Sequence, residues 1–81
     1  MADKVLIVDD DPSICKLLEK VMHSNDLETD TAGSGTKALE RLKHHTYDVI
    51  PMDIMLGDME GFDVIKELRA NGIQTPVMIV S

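Results

Sequence analysis

The chain has 81 residues and a formal net charge of −7, with 15 acidic against 8 basic side chains, a length that makes one small domain and buries only about 60 percent of its unfolded surface. The scattered basic residues exclude a direct contact of this segment with nucleic acid or an anionic membrane, which needs clustered Lys and Arg. The single cysteine, Cys15, excludes an internal disulfide and fits a reducing cytoplasm, and neither a signal pattern nor an apolar run near the roughly 18 residues of a membrane span occurs.

Val5-Leu6-Ile7-Val8 is a short β-branched and aliphatic run, apolar on both alternating faces, which predicts a central strand of a parallel sheet. It stops at Asp9-Asp10-Asp11-Pro12, where Asp11 reads as an N-cap and Pro12 as the first residue of a helix to about His23. Ile14, Leu17, Leu18, Val21 and Met22 form the expected buried stripe of that helix, ended by Ser24-Asn25-Asp26. Leu27 to Ala32 carries Thr29 and Thr31 and predicts a more exposed edge strand. Gly33-Ser34-Gly35 breaks the pattern with Ser34 as a cap, and Ala38, Leu39 and Leu42 mark the buried side of a second helix to about His44. Tyr47 to Met52 is the third strand, Phe62 to Ala70 the third helix with Val64, Ile65 and Leu68 inward, and Asn71-Gly72 its stop. After Thr75-Pro76 comes a fourth strand, Val77 to Val80. Such alternation predicts an α/β fold, a parallel sheet with right-handed crossovers and helices on both faces.

In a parallel sheet the strand C-termini share one edge, so Asp9, Asp10 and Asp53 converge there and Ser81 joins them. Three close carboxylates repel unless a cation sits among them, and oxygen-only ligands on ordered strand ends suit Mg²⁺. A divalent ion in an open carboxylate pocket beside a hydroxyl is what phosphoryl transfer requires, and a carboxylate can itself be the nucleophile. Asp53 is the candidate. The simpler reading of strand-end acids, helix capping and surface solvation, accounts for Asp11, Asp26 and Asp48. His23, His44 and His45 read as surface residues, Cys15 as a small core or boundary residue, and the methionines as packing.

Val8-Asp9-Asp10-Asp11, the run from Asp48 through Asp53 to Leu56, Met59-Glu60-Gly61-Phe62 and Thr75 to Ser81 together resemble the receiver domain of two-component response regulators. The resemblance covers the whole chain, read as a single receiver domain over residues 1–81, and implies a flavodoxin-like fold of strand order 2-1-3-4-5. It implies that Asp53 is the phosphoacceptor, served by a sensor histidine kinase or phosphotransfer protein, with Asp10 a direct and Asp9 a water-mediated Mg²⁺ ligand. The backbone carbonyl of Met55 completes the metal shell, and the Ser81 hydroxyl contacts the phosphoryl group. The role implied is signalling rather than enzymatic.

Three departures carry expectations. Gly57 stands where the family has proline, which predicts a more mobile loop; Pro51 lies inside the third strand, which predicts a local distortion. The chain ends at Ser81, before the family's last helix, strand and helix, so the fourth strand is expected to be an open edge and one sheet face thinly covered. A homodimer through that edge or face, with domain swapping as one route, is the expected consequence. Two other functions compete with this reading: an interaction fragment that is not phosphorylated, and a phosphohydrolase. Asp9-x-Asp11-x-Ser13 is similar to the opening motif of haloacid-dehalogenase-type phosphohydrolases with Asp9 as nucleophile, but Pro12 turns Asp11 toward capping and no lysine-bearing motif follows.

Overall fold

The computed structural model describes residues 3–80. Its elements run β1 (Lys4–Val8), α1 (Pro12–Ser24), β2 (Glu28–Ala32), α2 (Gly35–His44), β3 (Ile50–Met52), α3 (Gly61–Ala70) and β4 (Val77–Ile79). The strands form one parallel sheet in the order β2-β1-β3-β4, and the fold is flavodoxin-like. The most apolar strand is central because only there are both faces covered: Val5, Leu6, Ile7 and Val8 are all buried. The polar β2 takes an edge, as its Thr and Asp residues require. None of the described helices is long and apolar enough to cross a membrane.

Alternation along β1 divides the core in two. Leu6 and Val8 point to one face, where they meet Ala38 and Leu42 of α2, Val64 and Leu68 of α3, and Ile50 and Met52 of β3. Val5 and Ile7 point to the other, where Cys15 of α1 is buried against them with Leu18, Met22, Leu27 and Val49 beside it. Cys15 is therefore a small core residue, as expected. The stripe expected on α1 is half right. Leu18 and Met22 pack inward with Cys15, whereas Ile14 (37% exposed), Leu17 (58%) and Val21 (48%) are open. A helix lying on one layer buries one line of side chains, and an apolar stripe wider than that line stays uncovered.

The helix ends follow local rules. Asp11 caps α1 by accepting the Ser13 amide at 2.9 Å, with Pro12 first in the helix. Asp26, at φ 61, makes the left-handed turn out of α1, and Gly72 (φ 76) does the same after α3. Leu27 lies before β2 rather than in it. Residues 47–49 also lie outside the regular strand. Asp48 draws the backbone to β1 by donating its amide to the Lys4 carbonyl (2.7 Å) and accepting the Lys4 amide on its carboxylate (2.7 Å). Tyr47 is thereby left as a buried side chain beside the sheet.

Pro51 distorts less than its position in the chain predicts. The Ile50 amide bonds the Pro76 carbonyl and the Val80 amide bonds the Met52 carbonyl, both on the β4 side, so Pro51 turns its missing N–H toward β1. Pairing of β3 with β1 is reduced there to Val5 with Val49 and Val8 with Met52. The two pairs have the same sequence offset, so the register runs unbroken across the proline with no bulge.

Candidate functional site

Val8 pairs with Met52, so the next residues of the two strands emerge side by side, and the Asp53 amide donates to the Val8 carbonyl at 2.9 Å. The Asp9 amide is held by the Ala32 carbonyl of β2 at 3.1 Å. Each of these two carboxylates is then aimed by the amide two residues on: Asp9 Oδ1 accepts from Asp11 N (2.9 Å) and Asp53 Oδ1 from Met55 N (3.3 Å). This Asx-turn geometry is what short acidic side chains adopt where a strand gives way to a loop. Carboxylate oxygens of Asp9, Asp10 and Asp53 all come within 4.8 Å of one another, the one potential metal-holding group among the described residues. They border a shallow hollow with Asp11, Ile14 and Val80.

Asp9 is only 7% exposed, whereas Asp10 is open and Asp53 half-buried. Burial pushes the Asp9 carboxyl above its ordinary range, and the charges of Asp53, Asp10 and Asp11 push it further, against the lowering effect of the Asp11 amide. Ion pairs of the described residues reach Asp30 and Glu40 but none of these three. Clustered carboxylate oxygens with repulsion left uncompensated fit a hard divalent cation such as Mg²⁺.

Two further residues shape the site. Gly61 opens α3 directly beneath the Asp53 backbone: its amide donates to the Ile54 carbonyl, and a Cβ there would lie 2.6 Å from the Asp53 carbonyl oxygen. Only glycine permits that approach. Asp58 accepts the amides of Gly35 (2.8 Å) and Thr36 (2.9 Å) at the start of α2, together with the Thr36 hydroxyl. Gly61 was legible as part of the Met59-Glu60-Gly61-Phe62 motif, although its steric reason was not. No local pattern betrays Asp58, because its partners lie more than 20 residues away and the distance is closed only by the fold.

Of the sequence-predicted site residues, Asp9, Asp10 and Asp53 are brought together. Met55 follows in the same turn with its side chain exposed, and Ser81 lies outside the described residues. Asp11 is committed to its helix cap. His23 bonds Thr29 and His44 pairs with Glu40, both on the surface.

The family described as response regulator receiver domain matches residues 5–81. The cell cycle response regulator CtrA of Brucella ovis is 32% identical over 78 residues, covering 96% of this chain and 34% of the relative; the chain thus spans about a third of the length of such curated relatives. Among solved structures, the receiver domain of the Francisella response regulator 1452 superposes with a TM-score of 0.91 at 36% identity, over 95% of this chain and 64% of that one. The chemotaxis response regulator CheY4 of Vibrio cholerae gives 0.93 at 31%, over 98% and 68%. The response regulator TrrA of Thermotoga maritima, solved in complex with Mg(2+)-BeF, gives 0.89 at 30%, over 95% and 67%.

Proposed function

Because the chain belongs to the response regulator receiver domain family of two-component signalling, we propose that Asp53 accepts a phosphoryl group from a phosphohistidine of a sensor kinase or phosphotransfer protein. A carboxylate oxygen of Asp53 forms the new P–O bond, the P–N bond to the histidine breaks, and the departing imidazole recovers its electron pair and takes a proton from water. The observation that carries this reading is the convergence of Asp9, Asp10 and Asp53 within 4.8 Å, with none of the described ion pairs reaching them.

Mg²⁺ would be held by Asp10 and Asp53 directly, by Asp9 through water, and by the backbone carbonyl of Met55; when bound it offsets the charge on the phosphoryl oxygens. The chain does the rest. The Met55 amide aims the Asp53 carboxylate, and the buried Asp9 stays fixed by the Asp11 amide. The Ser81 hydroxyl is the proposed contact to a phosphoryl oxygen. Residues 1–81 act as one receiver domain in the cytoplasm, as a phosphoacceptor rather than a classical enzyme.

Incubation with acetyl phosphate and Mg²⁺ tests this by intact mass: one phosphoryl group is expected on the wild-type chain and none on Asp53→Asn. An adduct that survives Asp53→Asn and is lost in Asp9→Asn would favour the phosphohydrolase alternative, and no adduct on a folded chain the interaction fragment. The exposed Met78 and Ile79 of β4 further support self-association of this chain through the β4 edge or the thinly covered sheet face. Light scattering at micromolar concentration should give the mass of a dimer; a monomer would overturn that part.

A further inference from the structure

The loop after Asp53 is tied to a helix that is not its chain neighbour. The amides of Gly35, Thr36 and Lys37 precede the first i→i−4 bond of α2, that of Ala38 N to the Ser34 carbonyl (3.0 Å), and all three are satisfied from outside that ladder. The Ser34 side chain accepts Lys37 N (3.1 Å), while Gly35 N and Thr36 N go to the two oxygens of Asp58. A second contact reinforces the first. A Cβ at Gly35 would overlap the Met59 side chain and come within 2.9 Å of Val64 Cγ2, so the loop is seated against the helix start where a side chain would otherwise stand.

From Asp53 to Gly61 the loop is anchored apolarly by Leu56, buried in the core, and by Met59 packed against it, and its polar contacts are few. Met55 is tied to Asp53 and bridged to Glu60, and Gly61 to Ile54, all within the loop itself. Gly57 has nothing within 4 Å of where a Cβ would stand. Past Asp53, whose amide is held by Val8 of β1, Asp58 is the side chain that hydrogen-bonds this segment to another element among the described residues.

We propose that Asp58 is a positioning residue: by clamping the loop to the N-terminus of α2 it fixes Met55 in register with the acidic pocket, and so sets the affinity of that pocket for a divalent cation. The proposal rests on the reading of Asp9, Asp10, Asp53 and Met55 as the cation site.

Ser34 supplies the control. It caps the same end of α2 and does not touch the loop, so Ser34→Ala costs the helix about 1 kcal/mol while leaving the clamp in place. Backbone amide exchange of the metal-free chain and Mg²⁺ titration by calorimetry are measured on wild type, Asp58→Ala, Ser34→Ala and Thr36→Val, the last deleting only the hydroxyl donor. Asp58→Ala should speed exchange across residues 55–60 at least about tenfold, the opening of a local unit. It should also weaken Mg²⁺ binding about 10-fold, the low end of what supporting partners of metal ligands contribute. Thr36→Val should shift both in the same direction by less, and Ser34→Ala should leave both within about twofold. Unchanged exchange or unchanged Mg²⁺ affinity in Asp58→Ala overturns the proposal, as does an equal loss in Ser34→Ala. A wild-type chain that binds no Mg²⁺ overturns the pocket reading itself, and the exchange data then report on the clamp alone.

Discussion

Asp30 in β2 and Asp9 just past the end of the neighbouring β1 are displaced in opposite directions. Asp30 is held below the usual carboxylate range, first by the hydrogen bond from the Tyr47 hydroxyl (2.6 Å) and then by the charges of Lys4 (3.5 Å) and Arg41 (3.9 Å), against the opposing effect of burial. Asp9 is held above that range by burial and by three acidic neighbours. One carboxylate is completed by the chain's own donors and cations. The other sits among acids that no described ion pair reaches. The comparison teaches where to look for stability and where for function: a finished network contributes to folding, and an unfinished one at the C-terminal edge of a parallel sheet is a place for a ligand.

The largest effect should come from breaking the finished side. Asp30→Ala removes the acceptor of a buried tyrosine and the partner of two cations, and is expected to cost about 2 to 3 kcal/mol, or roughly 10 to 20 °C in a domain this small. Thermal melts followed by circular dichroism check it. A variant melting with the wild type would mean that the network is ornamental.

The next effect sharpens the comparison through pH. Burial and the Asp30 carboxylate push the Tyr47 hydroxyl up to about 12 from 10.0. A group whose native value is raised contributes stability in full below its unfolded value and loses it as pH climbs through the native one. Wild-type stability should therefore fall between about pH 10 and 12, by up to about 2 kcal/mol. In Tyr47→Phe this component should be absent, leaving a smaller dependence. Urea denaturation at pH 9 and pH 11.5 reads the difference directly, and identical slopes in the two proteins would contradict the assignment.

Which parts were legible in the sequence follows the same division between local and assembled features. The apolar run of β1, the Asp11-Pro12 helix start and the Ser34 cap are decided within a few residues, and each stands in the structure as expected. Asp9, Asp10 and Asp53 could be placed together because parallel topology alone brings strand ends to one edge. Tyr47 is not legible as a buried residue outside the strand, since its partner is the Asp30 carboxylate and regular pairing of β3 begins only at Ile50. On α1 the stripe was read too wide, because a helical pattern reports apolar positions but not how many layers cover them. Pro51 was expected to disturb its strand more than it does, because which way its nitrogen faces depends on which neighbour lies on each side.

A smaller effect separates the two regions by sign. Asp9→Asn keeps the oxygen that meets the Asp11 amide and removes a charge from the cluster, so in the absence of divalent ions it should stabilise the chain by about 0.5 to 1 kcal/mol, the opposite of Asp30→Ala. Millimolar Mg²⁺ should raise the melting temperature of the wild type and leave Asp9→Asn nearly unmoved, as binding to the native state alone requires. A destabilised Asp9→Asn, or equal Mg²⁺ responses, would put Asp9 on the finished side.

Locating the phosphoryl group tests most directly whether Asp53 is the phosphoacceptor. After treatment with acetyl phosphate and Mg²⁺, borohydride reduction converts an acyl phosphate to a stable alcohol that peptide mass mapping can assign. A single reduced position is expected, Asp53, lost in Asp53→Asn and dependent on Mg²⁺. Reduction at Asp9 or Asp10, or none at all on a folded chain in Mg²⁺, would contradict it.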